Sequence, residues 1–174
     1  MKNDVTIGLC NPKSPSNVGA VMRAAGCYGV DAVSYTGERF ARAAKFKTDT
    51  KNRQREIPLL GVESLTEDLP VDVSIVCVEL AEGAIALPEF KHPTKSLYIF
   101  GPEDGSIAQD IIDQASAVVY VPTIGCMNLA ATVNVVLYDR LAKSNTPVDH
   151  QAIIQKSRDV NNRLVVKGAV KGGF

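Results

Sequence analysis

Short apolar runs, most of them continuous rather than alternating, recur along the chain. They are VTIGL (5–9), AVSYT (32–36), VSIVCV (73–78), SLYIF (96–100) and AVVYV (117–121). Runs of this length that are rich in β-branched residues predict strands buried on both faces, as in a parallel sheet.

Between these runs lie segments whose apolar residues recur at helical spacing. In segment 17–29, Val18, Val21, Met22 and Ala25 follow such a pattern, and Ser14-Pro15 fits the N-cap and first position of that helix. The other predicted helices are 38–46, 61–69, 106–116 with Ser106 as N-cap, 128–143 and 149–164. Strands that alternate with helices predict an α/β fold, a mainly parallel sheet flanked by helices.

The strongest helical pattern covers residues 128–143. Its apolar stripe consists of Leu129, Val133, Val136, Leu137 and Leu141. The glycine-rich end of the chain, after the last predicted helix, is expected to be frayed.

Composition is that of an ordinary soluble globular protein, with 45% apolar and 22% charged residues among 174. No run reaches the roughly 18 apolar residues of a membrane span, and the N-terminus lacks signal-peptide features. A cytoplasmic location without membrane contact is expected by default. The four cysteines have no CxxC spacing, which argues against a zinc site. Cys10 and Cys77 fall in or at the end of apolar strands and are interpreted as small buried hydrophobes.

The net charge is zero, but basic residues are concentrated in two segments. Residues 39–55 contain seven Lys or Arg and one acidic residue, and residues 156–171 contain five and one. Two basic segments on an acidic body could form a phosphate-binding face. On charge alone, a solvated helix and loop surface is an equally open interpretation.

The first predicted helix places an arginine one turn after a glycine. Because helical side chains lean toward the N-terminus, Arg23 reaches back across Gly19, where no side chain blocks an outside group. Free N–H groups at the start of a helix favour an anion, which suits a phosphate or an oxyanion. A surface arginine beside a packing glycine fits this segment as well.

Ligands of open parallel sheets bind beyond the carboxyl ends of the strands. The ends that stand out are Val78-Glu79, Phe100-Gly101 and Val121-Pro122. At the second, Gly101 lets a ligand approach, and Glu103 could accept hydrogen bonds or balance a positive ligand, although PEDG is also an ordinary turn. After the third, Asn128 belongs to a site or simply caps a helix. Cys126 has no histidine close in sequence to activate it as a nucleophile.

Three stretches are more specific together than apart. They are NVGAVMR (17–23) after the first strand, FGPEDG (100–105) after a middle strand and VPTIGCMNLAATV (121–133) leading into a long helix. In order, spacing and context they resemble the three motifs of the SpoU/TrmH branch of the SPOUT RNA methyltransferases. The resemblance covers roughly residues 4–143, nearly the whole chain. It is greatest to short members of the tRNA ribose methyltransferase type, which lack a separate RNA-binding domain.

The resemblance implies a methyltransferase domain at 1–144 that contains a C-terminal deep trefoil knot, followed by a helical extension and flexible tail at 145–174. In this family the knot cradles S-adenosylmethionine through main-chain groups of three loops, here 78–83, 100–106 and 121–129. The implied cofactor-binding residues are Val78, Gly101, Val121, Ile124, Cys126 and Leu129. The resemblance also implies a homodimer with a shared RNA site and a reaction that requires no metal.

The implied reaction is methyl transfer to a ribose 2′-hydroxyl of tRNA or rRNA. Arg23 matches the family's catalytic arginine, and we interpret it as stabilising the developing alkoxide, since a guanidinium is hard to deprotonate. Asn17 would position Arg23 or the substrate, and Glu103 and Asn128 match motif residues that shape the site. The residues expected to contact substrate RNA are Arg39, Arg42, Lys45, Lys51 and Arg53.

Two departures from the family pattern leave a second function open. The third motif usually reads S-L-N-x-S, whereas CMNLA at 126–130 lacks both serines. The second motif usually ends G-x-E-x-x-G, whereas Ser106 takes the place of the final glycine. These losses motivate an alternative function, a non-catalytic RNA-binding relative. An unrelated α/β small-molecule enzyme would require all three motifs to coincide by chance.

Overall fold

The computed structural model describes residues 4–44, 57–145 and 147–166. The chain forms two compact units, Met1–Ser144 and Asn145–Phe174. Within the described residues, the strands of the larger unit are β1 (Val5–Leu9), β2 (Ala32–Tyr35), β3 (Leu59–Gly61), β4 (Ser74–Val78), β5 (Ile85–Ala86), β6 (Ser96–Phe100) and β7 (Ala117–Tyr120). They form one sheet in the order β3-β2-β1-β6-β4-β7-β5, and every paired neighbour is parallel. The predicted α/β class with a parallel sheet is confirmed.

The five predicted strands are all present, each within one residue of its predicted bounds. The prediction missed β3 and β5, which are three and two residues long. Such short segments carry no measurable periodicity, and both lie at the edges of the sheet, where each pairs with a single neighbour.

The helices are α1 (Pro15–Tyr28), α2 (Arg39–Ala44), α3 (Gln109–Ile112) and α4 (Leu129–Ala142) in the larger unit and α5 (His150–Ser157) in the smaller one. The predicted start of α1 is confirmed, because the Ser14 hydroxyl accepts the N–H of Asn17 at 3.4 Å and Pro15 is the first helical residue. The helix ends at Gly29, whose φ of 67° is left-handed. The end of the predicted second helix, residues 45–46, and the end of the chain lie outside the described residues.

Three helix predictions need correction. Residues 62–69 are not helical, because the Ser64 hydroxyl accepts the N–H groups of Thr66 at 3.2 Å and Glu67 at 3.3 Å and so forms a local turn. Ser106 is not an N-cap, since α3 begins only after Ala108 and has no side-chain cap. The helix predicted at 149–164 ends at Ser157.

The core lies on both faces of the sheet. On one face, α1 and α4 pack on alternate strand residues such as Ile7, Tyr98 and Val119, through Val18, Val21, Val133 and Val136 among others. On the other face, a second cluster contains Cys10, Leu65, Cys77, Leu97, Ile99 and Ile107. Leu141, predicted on the buried stripe of α4, is instead 49% exposed.

A polar cluster holds the last turn of α4 to the segment that precedes β6. His92 lies between Tyr98 and Asp139, with Nδ1 2.6 Å from the Tyr98 hydroxyl and Nε2 2.8 Å from Asp139 Oδ2. Arg140 donates to the Tyr98 hydroxyl at 3.1 Å, and Lys143 donates to the Leu87 carbonyl at 2.6 Å. These bonds anchor the end of α4 where its apolar stripe stops being buried.

Because His92 is buried in this cluster, the stability of the protein is expected to fall in acid. Burial lowers the pKa of His92 and outweighs the hydrogen bond to Asp139, and Arg140 and Lys143 lower it further. The unfolded chain takes up a proton near the ordinary pKa of about 6.5 while the folded chain does not. The free energy of unfolding should therefore fall as the pH drops below about 6.5.

Urea denaturation at pH 7.5 and pH 5.5 measures this effect. A His92→Gln variant cannot titrate at this position. It is expected to be less stable at the higher pH but to lose less stability between the two. An equal loss in both proteins would contradict the role assigned to His92.

Candidate active site

A pocket lies at the carboxyl ends of β4, β6 and β7, where the sequence predicts ligand binding. Its lining residues are Val78, Glu79, Leu80, Phe100, Gly101, Pro102, Glu103, Gly105, Tyr120, Val121, Thr123, Gly125, Cys126, Met127, Leu129 and Thr132. Five of the six predicted cofactor-binding residues are in this set. The sixth, Ile124, is fully exposed and lies outside it. Sequence reasoning named Glu79 at a strand end and within the 78–83 loop but gave its side chain no role, and it did not single out Thr132.

The floor of the pocket depends on Gly101. A Cβ at this position would lie 3.2 Å from Glu79 Oε2 and 3.4 Å from the Ile107 nitrogen, so a larger residue would press on both. Gly125 has a φ of 114°, and a Cβ there would meet nothing within 4 Å. The space beside Gly101 is thus taken by Glu79, whereas at Gly125 the pocket offers open main chain beside apolar strand ends, an arrangement that suits a ligand held in part by backbone groups.

Hydrogen bonds join Asn17, Glu103 and Asn128, one residue from each of the three motifs. Asn17 Nδ2 donates to Glu103 Oε1 at 3.1 Å, and Asn128 Nδ2 donates to Asn17 Oδ1 at 3.0 Å. Asn128 Oδ1 also accepts the N–H of Ala130 at 2.9 Å and so caps α4. The predicted cap is therefore present, and the amide nitrogen of Asn128 also links it to Asn17.

The Glu103 carboxylate anchors the loop after β6 to the start of α1. It accepts the N–H groups of Lys13 at 2.9 Å and Ser14 at 3.1 Å, in addition to the Asn17 amide. Burial by itself raises the pKa of Glu103, but the hydrogen bonds from Lys13, Asn17 and Ser14 outweigh it, and the net pKa is lowered. Glu103 is therefore ionised at neutral pH and serves as an acceptor, not as a proton donor.

Arg23 stands apart from this cluster. Its side chain is exposed on α1 and makes no hydrogen bond or ion pair with any described residue. The open surface expected beside it is present, since a Cβ on Gly19 would meet nothing within 4 Å. Within one chain, the structure brings Asn17, Glu103 and Asn128 together and leaves Arg23 free to meet an outside group.

Two of the predicted RNA-contacting residues are described, and both are ion-paired. Arg39 NH1 lies 2.9 Å from Asp104 Oδ1, and its NH2 lies 3.8 Å from Glu103 Oε2. The hydrogen bond from Arg39 lowers the pKa of Asp104. Arg42 pairs with Glu38 one turn earlier. Lys45, Lys51 and Arg53 lie outside the described residues.

The cysteines differ in burial. Cys10 and Cys77 are buried as expected, and burial is the main cause that raises the pKa of Cys10 to about 11 and that of Cys77 to about 12. Both thiols are therefore neutral at physiological pH. Cys126 is exposed in the lining of the pocket.

In the described ranges, no cluster of His, Cys, Asp and Glu is placed to hold a metal ion. None of the described helices is long and apolar enough to cross a membrane.

A comparison with family models tests the resemblance drawn from the three motifs. Residues 4–138 match the SpoU rRNA Methylase family. Because this match covers most of the chain, the chain belongs to that family, and the resemblance drawn from the three motifs is confirmed. No curated protein matches the chain at the level of sequence.

Several solved structures share the fold. The TrmH/SpoU tRNA modifying enzyme of A. aeolicus is 16% identical, with a TM-score of 0.65 over 82% of this chain and 76% of that one. The SpoU methyltransferase AviRb of Streptomyces viridochromogenes, in complex with AdoMet, is 17% identical, with a TM-score of 0.65 over 82% and 58%. A structure described for the 2-OH methylation of C/U34 on tRNA is 21% identical, with a TM-score of 0.66 over 80% and 89%.

The Asn17–Glu103 contact predicts a charge-specific effect. Asn17→Asp removes the donor and places a second carboxylate against Glu103, so we expect a loss of about 1–3 kcal/mol in the free energy of unfolding. Ser16→Asp is the matched control, because it adds the same charge to the same exposed turn, where the helix N-terminus favours it by up to about 1 kcal/mol. Urea denaturation of both variants at pH 7.5 measures the difference. Equal stability of the two would show that the contact with Glu103 contributes little.

Proposed function

We propose that this chain is a cytoplasmic, S-adenosylmethionine-dependent methyltransferase that modifies a ribose 2′-hydroxyl of tRNA or rRNA. The observation that carries the proposal is the hydrogen-bonded set Asn17, Glu103 and Asn128, which unites the three family motifs beside the strand-end pocket. Two solved relatives of the same fold support it. One is in complex with AdoMet, and the other is described for 2-OH methylation of tRNA.

The pocket has the character that such a donor requires. Val78, Val121 and Leu129 offer apolar surface, and Gly125 leaves main chain accessible. When bound, S-adenosylmethionine supplies an electrophilic methyl group on a sulfonium. Family membership also supports a trefoil knot around this pocket as part of the proposal.

Arg23 would act on the RNA substrate. Its exposed guanidinium has no partner among the described residues and so can contact the ribose oxygen or the adjacent phosphate. Because a guanidinium keeps its proton, Arg23 stabilises negative charge on the attacking oxygen and does not act as a base. Asn17, held by Glu103 and Asn128, fixes the first turn of the helix on which Arg23 stands.

The basic segment 39–55 would supply further contacts to RNA phosphates. The Arg42–Glu38 pair is exposed. Exposed pairs of this kind are weak, so an RNA phosphate can displace Glu38 at little cost. Arg39 would meet a phosphate through Nη1, which pairs with the exposed Asp104, because its Nε and Nη2 atoms are buried. Lys45, Lys51 and Arg53 are proposed to act in the same way.

We further propose that the active form is a homodimer that joins through the outer faces of α1 and α4. These helices pack together on one face of the sheet. Gly19 and Ala20 are exposed on α1, and Tyr138 and Leu141 are 60% and 49% exposed on α4. Large apolar side chains exposed on adjacent helices suit a protein interface, and a second copy that covers α1 would also approach Arg23.

Leu141→Lys tests the proposed dimer, because it puts a charge into the interface without disturbing the core. We expect a shift from dimer to monomer in light scattering at micromolar protein. Val71→Lys is the matched control, since Val71 is fully exposed in a loop far along the chain from both helices. A wild-type monomer, or a Leu141→Lys variant that is still dimeric, would overturn this interface.

Arg23→Ala tests the reaction. Loss of a charge-stabilising donor is expected to lower kcat by about 10²-fold or more, with an unchanged melting temperature because the side chain has no described partner. Transfer of labelled methyl groups to total RNA from a deletion strain, followed by mapping of ribose methylation, measures activity and identifies the substrate. Lys91→Ala removes an exposed cation elsewhere and should leave activity intact. A fully active Arg23→Ala enzyme would contradict the role of Arg23.

The same methyl-transfer assay distinguishes the proposed enzyme from the alternative, a non-catalytic RNA-binding relative. The lost serines motivate it, and the nearby hydroxyls of Thr123 and Thr132 already donate to the carbonyls of Gly125 at 2.9 Å and Asn128 at 3.0 Å, so they are left only as acceptors for a ligand. RNA binding that needs no methyl donor, with no methyl transfer to any RNA of the deletion strain, would favour this alternative.

A further inference from the structure

The strand-end pocket carries charge of one sign. Its described lining contains two carboxylates, Glu79 and Glu103, and no Lys, Arg or His. The charge of Glu103 is partly balanced, since Arg39 NH2 lies 3.8 Å from its Oε2. Glu79 forms no ion pair with any described residue. Glu79 therefore leaves the pocket with a net negative charge.

The Glu79 carboxylate is held in place by main-chain groups. Its Oε1 accepts the N–H of Leu80 at 2.9 Å, and its Oε2 accepts the N–H of Ile107 at 2.9 Å. The backbone N–H of Glu79 donates to the Val119 carbonyl of β7 at 2.9 Å. The carboxylate thus sits where the segments after β4, β6 and β7 meet, and it passes beside Gly101, the residue that leaves room for it.

The negative charge of Glu79 affects nearby ionisable groups. It contributes to raising the pKa of both Cys10 and Cys77, for which burial is the larger cause. A carboxylate that is fixed, half-buried and without an ion-pair partner is less screened than one in water. It therefore favours a positive charge on any ligand in the pocket.

We propose that Glu79 makes the pocket select a cationic methyl donor over its neutral, demethylated product. The inference rests on the proposed function. S-adenosylmethionine has a permanent positive charge on sulfur, whereas S-adenosylhomocysteine, which lacks only the transferred methyl group, is a thioether whose sulfur is neutral. Glu79 therefore stabilises the bound donor more than the bound product, and product release after each turnover becomes easier.

Isothermal titration calorimetry on the intact protein tests this selectivity without measuring activity. The ligands are S-adenosylmethionine, S-adenosylhomocysteine and sinefungin, an analogue that carries an amine cation in place of the sulfonium. Glu79→Gln keeps the length of the side chain and removes its charge. It is expected to weaken binding of the two cations about tenfold and binding of the neutral product less than about twofold. Glu89→Gln is the matched control, since Glu89 is an exposed carboxylate outside the three proposed cofactor loops and outside the pocket lining.

The other outcomes are distinguishable. Equal weakening of all three ligands would show that Glu79 only holds the loop or binds a group common to them, and would overturn the inference while leaving the proposed function intact. Absence of binding of every ligand to the wild-type protein would overturn the proposed function itself.

A measurement on the wild-type protein covers the case in which Glu79→Gln fails to fold. With Glu79 in place, the wild-type protein should bind S-adenosylmethionine and sinefungin more tightly than S-adenosylhomocysteine. Equal or tighter binding of S-adenosylhomocysteine would also overturn the selectivity assigned to Glu79.

Discussion

The ionised carboxylate of Glu103 is the group on which the arrangement of the site depends. It binds the main chain before α1 and the side chain of Asn17, and through Asn17 it is linked to the cap of α4. Removing a partner from a partly buried carboxylate leaves a charge unsatisfied, at a cost of about 1–3 kcal/mol or more. The loop after β6, the start of α1 and the start of α4 are therefore coupled and act as one unit.

Local chemistry explains what the sequence could predict. Continuous apolar runs identified five strands, and Ser14, Pro15 and Asn128 marked helix starts because a cap depends on neighbours within a few residues. The helix predicted at 61–69 is absent from the structure, although it was also predicted from local sequence. Its composition resembled a helix, but the Ser64 hydroxyl and the burial of Leu65 favoured a turn. Two-residue and three-residue edge strands depend on their sheet neighbour and leave no pattern in the sequence.

Some features of the candidate site could likewise be predicted from the sequence, and others could not. The motif residues were predictable by type, but their partners were not, because Glu103 binds main-chain N–H groups about 90 residues away in sequence. Glu79 was passed over for the same reason, since its partner Ile107 is 28 residues distant. The two carboxylates show how position decides the role of one residue type. Glu103 accepts three hydrogen bonds and lies near Arg39, so it holds loop and helix together, whereas Glu79 forms no ion pair with any described residue, and its charge is the one proposed to act on a ligand in the pocket.

The two hydrogen bonds of the Asn128 side chain explain why the site tolerates the loss of the two serines of the third motif. Its Oδ1 caps α4 and its Nδ2 binds Asn17, so the link among the three motifs needs no hydroxyl at 126 or 130. Ala130 is buried at 6% exposure, where a hydroxyl would need a partner of its own. Cys126, by contrast, is exposed in the pocket lining. The loss of the two serines therefore leaves the framework of the site intact, and the change it makes falls on contacts to a ligand at position 126.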